Sequence, residues 1–410
     1  MFLVKRDNSN KNFIIKGLIT AILLSAFIYL SYFNIEYRLI NTILGLSGIY
    51  FLLTIPRKAM FIAGFLSGIL WFYWMIISLK YYDLIYLTPI LLLAIGILYG
   101  FIFLLFTLYD KIYFRLIAIF AFTFLGPFGF DWMKFELLFI DSYLGTSKED
   151  FLLILISLLM IAKLKKMKLL SIIPLLLAFS FENKTYIDNP NIKISMPQLN
   201  LSQNLKWEKT YKEMVFKKNF EYIDNAIHNK KDLIVLPETV FPLVLNKNEK
   251  LLTNLKNKSY KINIIAGSLY LENNQFYNVS YLISKGNVQI AKKLVLVPFG
   301  EEIPLPKFFV DLINDIFYNR AEDYSKAKVP TDFIINNQKF RSAICYEATN
   351  DKIYQNLNGV KYMIAISNNA WFTPSIQPTL QKLLLRYYSK KYNITIFHSV
   401  NGSPNFIFKP

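Results

Sequence analysis

The chain has 410 residues, enough for two or three domains of about 150 residues each. Hydrophobic residues make up 54% of the chain and charged residues 18%, whereas a typical soluble domain has about 25% charged residues. The mean hydropathy is +0.32. This composition argues against a wholly soluble protein.

The net charge is +18, from 46 lysines and arginines and 28 aspartates and glutamates. Because the basic residues accompany long apolar runs, we expect them to face anionic lipid at a membrane surface rather than nucleic acid. Cys345 is the single cysteine, so no intramolecular disulfide supports the fold. The two histidines, His228 and His398, are far apart in the sequence, which argues against a zinc site and a metal catalyst.

Seven apolar segments, separated by short polar breaks, fill the sequence up to residue 181. Their lengths predict helices that cross about 30 Å of hydrocarbon, although the last two segments are short. Gly64 and Gly68 in the third segment have the G-x-x-x-G spacing, which marks either a dimer face or ordinary helix packing, and we favour packing. The segments are 13–33, 38–55, 59–79, 84–108, 112–130, 151–162 and 167–181.

The loops between these segments alternate in charge. The N-terminus and the loops after the second, fourth and sixth segments are rich in lysine and arginine, whereas the opposite loops are acidic. Since short cytoplasmic loops retain basic residues, the N-terminus is expected in the cytoplasm. The first segment is longer than the apolar part of a signal peptide and lacks an A-x-A site, so we expect it to remain as an anchor. An odd number of crossings then places everything after residue 181 outside the cytoplasm.

From residue 184 the pattern changes to short β-rich runs interrupted by Asn, Pro and Gly, with amphipathic stretches between them. This pattern predicts a globular α/β domain over residues 184–410, after a transmembrane domain of about seven helices over residues 1–183. The predicted buried strands lie near residues 192–194, 233–236, 262–266, 279–283, 294–297, 342–345 and 363–366.

Three of the predicted strands carry ionisable residues at or beside their ends. LIVLPE ends at Glu238, KLVLVPFGEEIP begins at Lys293, and AICYE contains Cys345. Ligands of α/β sheets gather at the carboxyl ends of the strands, so we expect these three residues to converge on one pocket.

The chemistry of the three residues is coherent only when they are taken together. A lone cysteine after an apolar run is more often a small buried hydrophobe than a nucleophile, and a glutamate after a proline often caps a turn. Jointly, Glu238 can take the proton of the Cys345 thiol while Lys293 stabilises the thiolate. The same ammonium can stabilise an oxyanion, helped by backbone N–H groups near Cys345 and Tyr346. Acyl transfer is the predicted reaction class.

These motifs resemble those of the nitrilase or carbon-nitrogen hydrolase superfamily, from residue 193 to the end of the chain. Within it, the preceding helices and the motifs VPFGEEIP and SNNAWF are similar to the apolipoprotein N-acyltransferases, a family of bacterial membrane enzymes. The resemblance implies a multi-pass α-helical membrane bundle followed by an α/β nitrilase-like αββα sandwich. It also implies Glu238 as general base, Lys293 as electrostatic stabiliser and Cys345 as nucleophile.

Three more residues match positions that support the active site in this family. Glu301 resembles an additional active-site glutamate, and Tyr346 and Glu347 follow the nucleophile. From their charges, we expect Glu301, and Glu347 from further away, to keep the Lys293 ammonium charged and oriented. The alternative for both glutamates is a solvated carboxylate or a turn cap.

Three aromatic residues are candidate substrate contacts. Trp207 in QNLKW resembles a functionally important loop tryptophan of the family. Trp207, Trp371 and Phe372 suit contact with acyl chains, or else Trp371 fills the core. The sequence differs from the family pattern at Asn369 of SNNAWF, where an aspartate is usual. It also differs at the C-terminus: the sequence ends at Pro410, and we expect the catalytic domain to lack the usual C-terminal membrane helix.

The resemblance implies an enzyme that moves an acyl chain from a membrane phospholipid, through a cysteine thioester, to the N-terminal amine of S-diacylglyceryl-cysteine in an apolipoprotein. It implies no cofactor, and it implies the bacterial inner membrane with the catalytic domain on the periplasmic side. One alternative is a membrane-anchored amidase, in which water resolves the thioester. The other is a non-catalytic membrane binding protein, in which the Cys345 thiol is inert.

Overall fold

The computed structural model describes residues 4–164, 168–180, 189–304 and 324–410, together with residues 308 and 310. It divides into two compact units. The first unit comprises Met1–Gly126, Asp131–Asn183 and Pro374–Tyr387, and the second comprises Pro127–Phe130, Lys184–Thr373 and Tyr388–Pro410. Pro127–Phe130 precedes the predicted domain boundary at residues 183 and 184 but belongs to the second unit. Pro374–Tyr387 follows that boundary but belongs to the first unit.

The first unit is built mainly from apolar helices, and one of its α-helices overlaps each of the seven predicted segments. Among the described residues, four stretches are long and apolar enough to cross a membrane, namely Asn12–Tyr32, Arg57–Tyr81, Ile85–Leu105 and Ile112–Gly129. The α-helices are α1 (Val4–Tyr32), α2 (Arg38–Thr54), α3 (Arg57–Phe72), α4 (Thr88–Leu105), α5 (Ile112–Phe122), α6 (Lys148–Lys163) and α7 (Ile172–Leu177).

The seventh segment, 167–181, forms a shorter helix than its apolar composition predicts. After α7 the chain becomes extended and bonds to residues 143–145. Gly145 N donates to Ala178 O at 2.8 Å, and Ser180 N donates to Tyr143 O at 2.9 Å. These bonds satisfy backbone groups that a longer helix would have satisfied internally. The first and last residues of the predicted segment lie outside the described residues.

The G-x-x-x-G spacing of α3 allows it to pack closely against α4 of the same chain. A Cβ atom added at Gly64 would lie 2.3 Å from Tyr99 O, and one added at Gly68 would lie 2.8 Å from the Tyr99 ring. Both glycines are buried. Ordinary helix packing, rather than a dimer face, therefore accounts for the spacing, as expected.

We predict that Gly64→Val lowers the thermal unfolding temperature of the detergent-solubilised protein by several degrees. The added side chain meets the backbone of α4, so the two helices must separate and lose contact area. Differential scanning fluorimetry of the purified protein measures the shift. Leu66→Val, which introduces the same residue type at a half-buried position of α3, is the control and should change the temperature much less. Equal stability of Gly64→Val and wild type would contradict this packing.

Two β-sheets form the centre of the second unit. The first sheet has the strand order β1-β2-β4-β5-β6, with β3 paired to β4, and the second has the order β11-β10-β9-β8-β7. The strands of the first sheet are β1 (Ile194–Ser195), β2 (Leu233–Val235), β3 (Phe241–Val244), β4 (Asn263–Glu272), β5 (Gln275–Ser284) and β6 (Asn287–Lys292). Those of the second are β7 (Asp332–Ile335), β8 (Gln338–Ile344), β9 (Tyr362–Asn368), β10 (Thr395–Asn401) and β11 (Phe406–Phe408).

Alternating residues of the first sheet point into two different cores. Leu233 and Val235 of β2 pack in a core shared with strands β7 to β10 of the second sheet. Ile234, between them, packs in a second core with helices α8 (Lys209–His228) and α9 (Glu249–Ser259). This two-residue period gives layers of helix, sheet and sheet. A third helix, α10 (Gln377–Tyr392), connects β9 to the parallel strand β10.

The strand predicted at residues 294–297 is wrong. The strand of this region is β6, which ends at Lys292, and the following residues form a loop. The backbone N–H groups of Leu294 and Val295 donate to the Glu347 carboxylate instead of to a neighbouring strand. The Glu347 carboxylate therefore takes the place of the neighbouring strand with which this apolar run was predicted to form hydrogen bonds.

Candidate active site

Strand ends of both sheets deliver the three candidate catalytic residues. Glu238 lies in the turn after β2, and Lys293 immediately follows β6. These two strands run in the same direction, because β4 is parallel to β2 and the pairs β4–β5 and β5–β6 are antiparallel. Their carboxyl ends therefore meet at one edge of the first sheet. Cys345 immediately follows β8 of the second sheet.

Lys293 lies between two carboxylates. Its side chain is fully buried, and Nζ lies 2.7 Å from Glu301 Oε2 and 3.8 Å from Glu238 Oε1. Burial alone would lower the pKa of Lys293, but the fields of Glu301, Glu238 and Cys345 outweigh it and raise this pKa above its ordinary value. The Lys293 side chain is therefore a charged ammonium at neutral pH.

Glu301 also has a backbone partner, because Val297 N donates to its Oε2 at 2.9 Å. This bond closes the loop that follows Lys293 and points the Glu301 carboxylate back at the ammonium. The expectation that Glu301 is a solvated carboxylate or a turn cap therefore does not account for its contacts. Its position fits the expected role of keeping Lys293 charged and oriented.

Asn278 is a site residue that the sequence reasoning missed. Its Nδ2 donates to Glu238 Oε1 at 2.8 Å and to Glu301 Oε1 at 3.1 Å, so one amide bridges the two carboxylates. Its backbone oxygen also accepts a bond from Lys293 N at 3.0 Å. The available signal was an asparagine directly before the apolar run 279–283, where a buried amide needs partners.

Cys345 is half-buried and has a backbone φ of +56°, which is uncommon for a residue other than glycine. Burial raises the pKa of its thiol well above the ordinary value, and the negative field of Glu238 raises it further. Lys293 and a hydrogen bond from the Asn368 backbone act in the opposite direction but do not compensate. The thiol is therefore protonated at neutral pH and needs a base before it can attack a carbonyl.

Glu347 bonds to backbone groups at the site rather than to the ammonium itself. Its carboxylate accepts bonds from Ile344 N at 2.7 Å, Leu294 N at 2.6 Å and Val295 N at 3.2 Å. Burial raises the pKa of Glu347 to about 7, although these bonds and Lys293 act to lower it. Glu347 thus ties the loop after Lys293 to the end of β8, where the nucleophile lies.

Tyr346 is buried beside the nucleophile and is held by the segment Pro127–Phe130. Its hydroxyl donates to Gly129 O at 2.8 Å, and its ring stacks on Phe130 with the centroids 5.5 Å apart. These contacts lie within the second unit. They fix the residue that directly follows Cys345.

The predicted aromatic contacts differ in exposure. The Trp207 side chain is 45% exposed, and Lys212 Nζ lies 5.9 Å from the centroid of its ring. Trp371 and Phe372 follow β9 and are half-buried. Asn369, which stands where the family has an aspartate, is buried and donates from Nδ2 to Ser403 Oγ at 3.0 Å.

Comparison with known proteins places both halves of the chain. Residues 11–181 match the family model described as the apolipoprotein N-acyltransferase integral membrane domain, and residues 194–394 match the carbon-nitrogen hydrolase model. The apolipoprotein N-acyltransferase of Wolinella succinogenes is 41% identical over 96% of this chain and 95% of its own length. The chain belongs to the apolipoprotein N-acyltransferase family.

A second relative agrees with this placement. The apolipoprotein N-acyltransferase of Campylobacter jejuni is 37% identical over 100% of the chain and 93% of its own length. Saccharomyces cerevisiae Nit3, a member of branch 10 of the nitrilase superfamily, is 18% identical, with a TM-score of 0.40 over 53% of this chain and 82% of Nit3. The predicted family, the predicted fold class and the prediction of an acyltransferase enzyme are confirmed.

We predict that Asn278→Ala slows acylation of Cys345 by about 10- to 100-fold, the effect of losing hydrogen bonds to charged groups. Without the bridging amide, Glu238 and Glu301 repel each other across the site. The rate of acyl-enzyme formation, followed by mass spectrometry, measures this effect. Asn246→Ala is the control, because Asn246 bonds the backbone of Leu271 in the same sheet. A rate for Asn278→Ala as high as that of the control would contradict the bridge.

We predict that Glu301→Gln brings the alkaline limb of the acylation pH profile down into the range of pH 6 to 11, whereas the limb of the wild type lies above this range because its Lys293 stays charged. Glu301 is the carboxylate that raises the pKa of Lys293 most, so its neutralisation lets burial lower that pKa, and the ammonium is lost earlier as pH rises. Initial rates of Cys345 acylation between pH 6 and 11 test this. Glu302→Gln, which removes a neighbouring carboxylate paired to Lys326, should leave the limb in place. An unshifted limb in Glu301→Gln would show that Lys293 does not depend on Glu301.

Proposed function

We propose that the chain transfers a fatty acyl group from a membrane phospholipid to the α-amine of S-diacylglyceryl-cysteine at the N-terminus of an apolipoprotein, through a thioester on Cys345. The observation that carries the proposal is the buried ammonium of Lys293. It is paired with Glu301 and Glu238, and Cys345, which follows the end of β8, is close enough for its field to act on Lys293. Kinship with apolipoprotein N-acyltransferases over almost the whole chain supports the choice of donor and acceptor.

In the first step, Glu238 takes the thiol proton as Cys345 Sγ attacks the ester carbonyl of the phospholipid. The C–S bond forms, and the negative charge on the carbonyl oxygen is stabilised by the Lys293 ammonium. Collapse breaks the ester C–O bond, and the proton on Glu238 passes to the departing alkoxide. The products are the thioester and a lysophospholipid.

In the second step, the lipoprotein amine attacks the thioester carbonyl while Glu238 accepts the amine proton. The C–N bond forms, the C–S bond breaks, and the proton returns to the departing thiolate. The products are the amide and the free Cys345 thiol. The enzyme returns to its starting state, and the reaction needs no cofactor. Because the resting thiol has a raised pKa, the thiolate is a poor leaving group unless Lys293 is charged.

Three further groups of residues have supporting roles in this proposal. Glu301 keeps the ammonium charged and aimed, and Glu347 and Tyr346 hold the backbone on either side of the reacting atoms. Trp207, Trp371 and Phe372 contact the acyl chains or the lipidated acceptor. Apolar surroundings would also keep water from the thioester, which would otherwise be hydrolysed.

The chain is a bacterial membrane protein, by its family and its four long apolar helices. We further propose that it resides in the cytoplasmic (inner) membrane, with the carbon-nitrogen hydrolase domain on the periplasmic side. The support is the charge of the loops, which are basic on the side of the N-terminus and acidic on the opposite side. Both proposed substrates carry lipid chains and stay in the bilayer, so a membrane-resident enzyme suits them.

We predict that purified protein incubated with phosphatidylethanolamine gains one acyl group on Cys345, and that a diacylated lipopeptide removes it to give a triacylated product. Intact-protein and peptide mass spectrometry detect both events. Cys345→Ala is the control and should gain no acyl group, because it lacks the sulfur that forms the bond.

The outcomes of this experiment separate the alternatives. A thioester that the lipopeptide cannot discharge, but that water hydrolyses, would favour a membrane-anchored hydrolase. Absence of any acyl adduct in folded protein would leave a non-catalytic membrane protein. Acylation of the wild type alone, with transfer to the amine, is the expected result.

A further inference from the structure

Lys206 is a second buried lysine beside the candidate base, and the mechanism above does not use it. Its side chain is 1% exposed. Nζ donates to Thr239 Oγ1 at 2.6 Å and lies 3.5 Å from Glu238 O. Both of these acceptors, within the described part of the chain, are neutral oxygens, so Lys206 differs from Lys293, which has two carboxylate partners.

A buried ammonium without a bonded carboxylate is expensive for the fold, and an apolar side chain of the same length would usually be better tolerated. Burial accordingly lowers the pKa of Lys206 to about 7, with the field of Glu238 acting against this shift. The cost of burying this ammonium and its lowered pKa indicate that a lysine at position 206 serves the neighbouring Glu238 rather than the stability of the fold.

The turn that Lys206 contacts is strained. Thr239 has a φ of +45°, a left-handed conformation that a β-branched residue rarely adopts. Such a conformation persists only where the surroundings hold it. The backbone of Gly267 lies directly against this turn, because a Cβ there would lie 2.5 Å from Thr239 N and 2.6 Å from Glu238 Cα.

Separate groups hold the residues on each side of Glu238. Gly267 N donates to Pro237 O at 3.2 Å, and Asn219 Nδ2 donates to Val240 O at 3.0 Å. Between these two bonds, the strong bond from Lys206 to Thr239 holds the side chain of the strained residue itself. Lys206 therefore completes the support of the turn that carries the candidate base.

We propose that Lys206 is a positioning residue of the acyl transfer: its bond to Thr239 Oγ1 holds the turn in the conformation that presents the Glu238 carboxylate to the Cys345 thiol. The proposal rests on the proposed function in assigning Glu238 as the base. The Lys206 ammonium and Glu238 also interact through their charges, since the field of Glu238 acts to raise the pKa of Lys206. The other titratable groups whose fields couple to Glu238 are Lys293, Cys345 and Tyr324, and Glu301 is joined to it through Asn278.

The test compares Lys206→Met, which removes donor and charge, with Lys206→Gln, which keeps a donor but no charge. We expect Lys206→Met to slow acylation of Cys345 by about 10- to 100-fold, the usual cost of a displaced catalytic group. We expect Lys206→Gln to recover part of the rate. In both variants the kcat of acylation should fall with little change in the KM for the donor, because the displaced group is the base and not a contact of the donor.

A second variant breaks the same bond from the other side. Thr239→Ala removes the hydroxyl that accepts the bond, whereas Thr239→Ser keeps it. Thr239→Ala should slow acylation, Thr239→Ser should not, and the double variant Lys206→Met/Thr239→Ala should be little slower than Lys206→Met alone, because both changes remove one interaction. Lys258→Met, at a surface lysine paired to Asp224, is the matched control and should acylate like the wild type.

Each variant is assayed with two donors, phosphatidylethanolamine and the soluble ester p-nitrophenyl butyrate, and its unfolding temperature is measured. If wild type reacts only with the soluble ester, the proposed phospholipid donor is wrong, but the comparison of variants still tests Lys206. If neither donor acylates the folded wild type, both proposals fail.

Folded Lys206→Met with the wild-type kcat of acylation would overturn the positioning role. If Lys206→Met does not fold, a wild-type rate in Thr239→Ala would overturn it equally. Slow acylation in Thr239→Ala with an unchanged unfolding temperature would support it. A merely structural lysine would alter the unfolding temperature and leave the kcat of the folded enzyme unchanged.

Discussion

The charge on Lys293 is the constraint on which the rest of the site depends. An ammonium buried to this degree keeps its proton only when carboxylates accompany it, and here Glu301 and Glu238 do so. Burial raises the pKa of the Cys345 thiol, and the field of Glu238 raises it further by more than Lys293 lowers it. The resting site thus keeps the thiol protonated beside its candidate base, and proton transfer is coupled to the arrival of a carbonyl that Lys293 can stabilise.

Because the nucleophile and its partners come from different sheets, the distance between the sheets decides whether the site exists. The shared core sets that distance with residues such as Val235 and Ile344. Glu347 adds a polar tie, since its carboxylate accepts backbone bonds from Leu294 and Ile344 on the two sides. Its expected role was to orient Lys293 from a distance, and the contacts instead have it holding the backbone that follows Lys293.

Each of the three loops that form the site contains a residue with a strained backbone. Thr239 beside the base, Phe299 in the loop of Glu301, and Cys345 itself all have positive φ, at +45°, +61° and +56°. Strain of this kind costs about 1–3 kcal/mol per residue and needs support from the surroundings. Gly267 behind Glu238, the Glu301 bond to Val297 N, and the Glu347 bond to Ile344 N supply that support. The molecule thus gives up stability at the turns that aim its reactive side chains.

Composition and periodicity by themselves determined the helical first half, the α/β second half and the strand ends with Glu238 and Cys345, whereas Lys293 was predicted at the start of a strand and instead follows the end of β6. These features follow from local hydrophobicity and from the rule that strand ends carry functional groups. Only the tertiary structure decided that residues 294–297 form a loop, that Asn278 bridges two carboxylates and that Lys206 supports the turn of Glu238. Each of these depends on partners from 20 to more than 50 residues away in the chain, as with Glu347 and Leu294 or Asn278 and Glu238. An apolar run or a lone polar residue cannot specify such a partner, because hydrogen bonds and burial are set by where the folded chain returns.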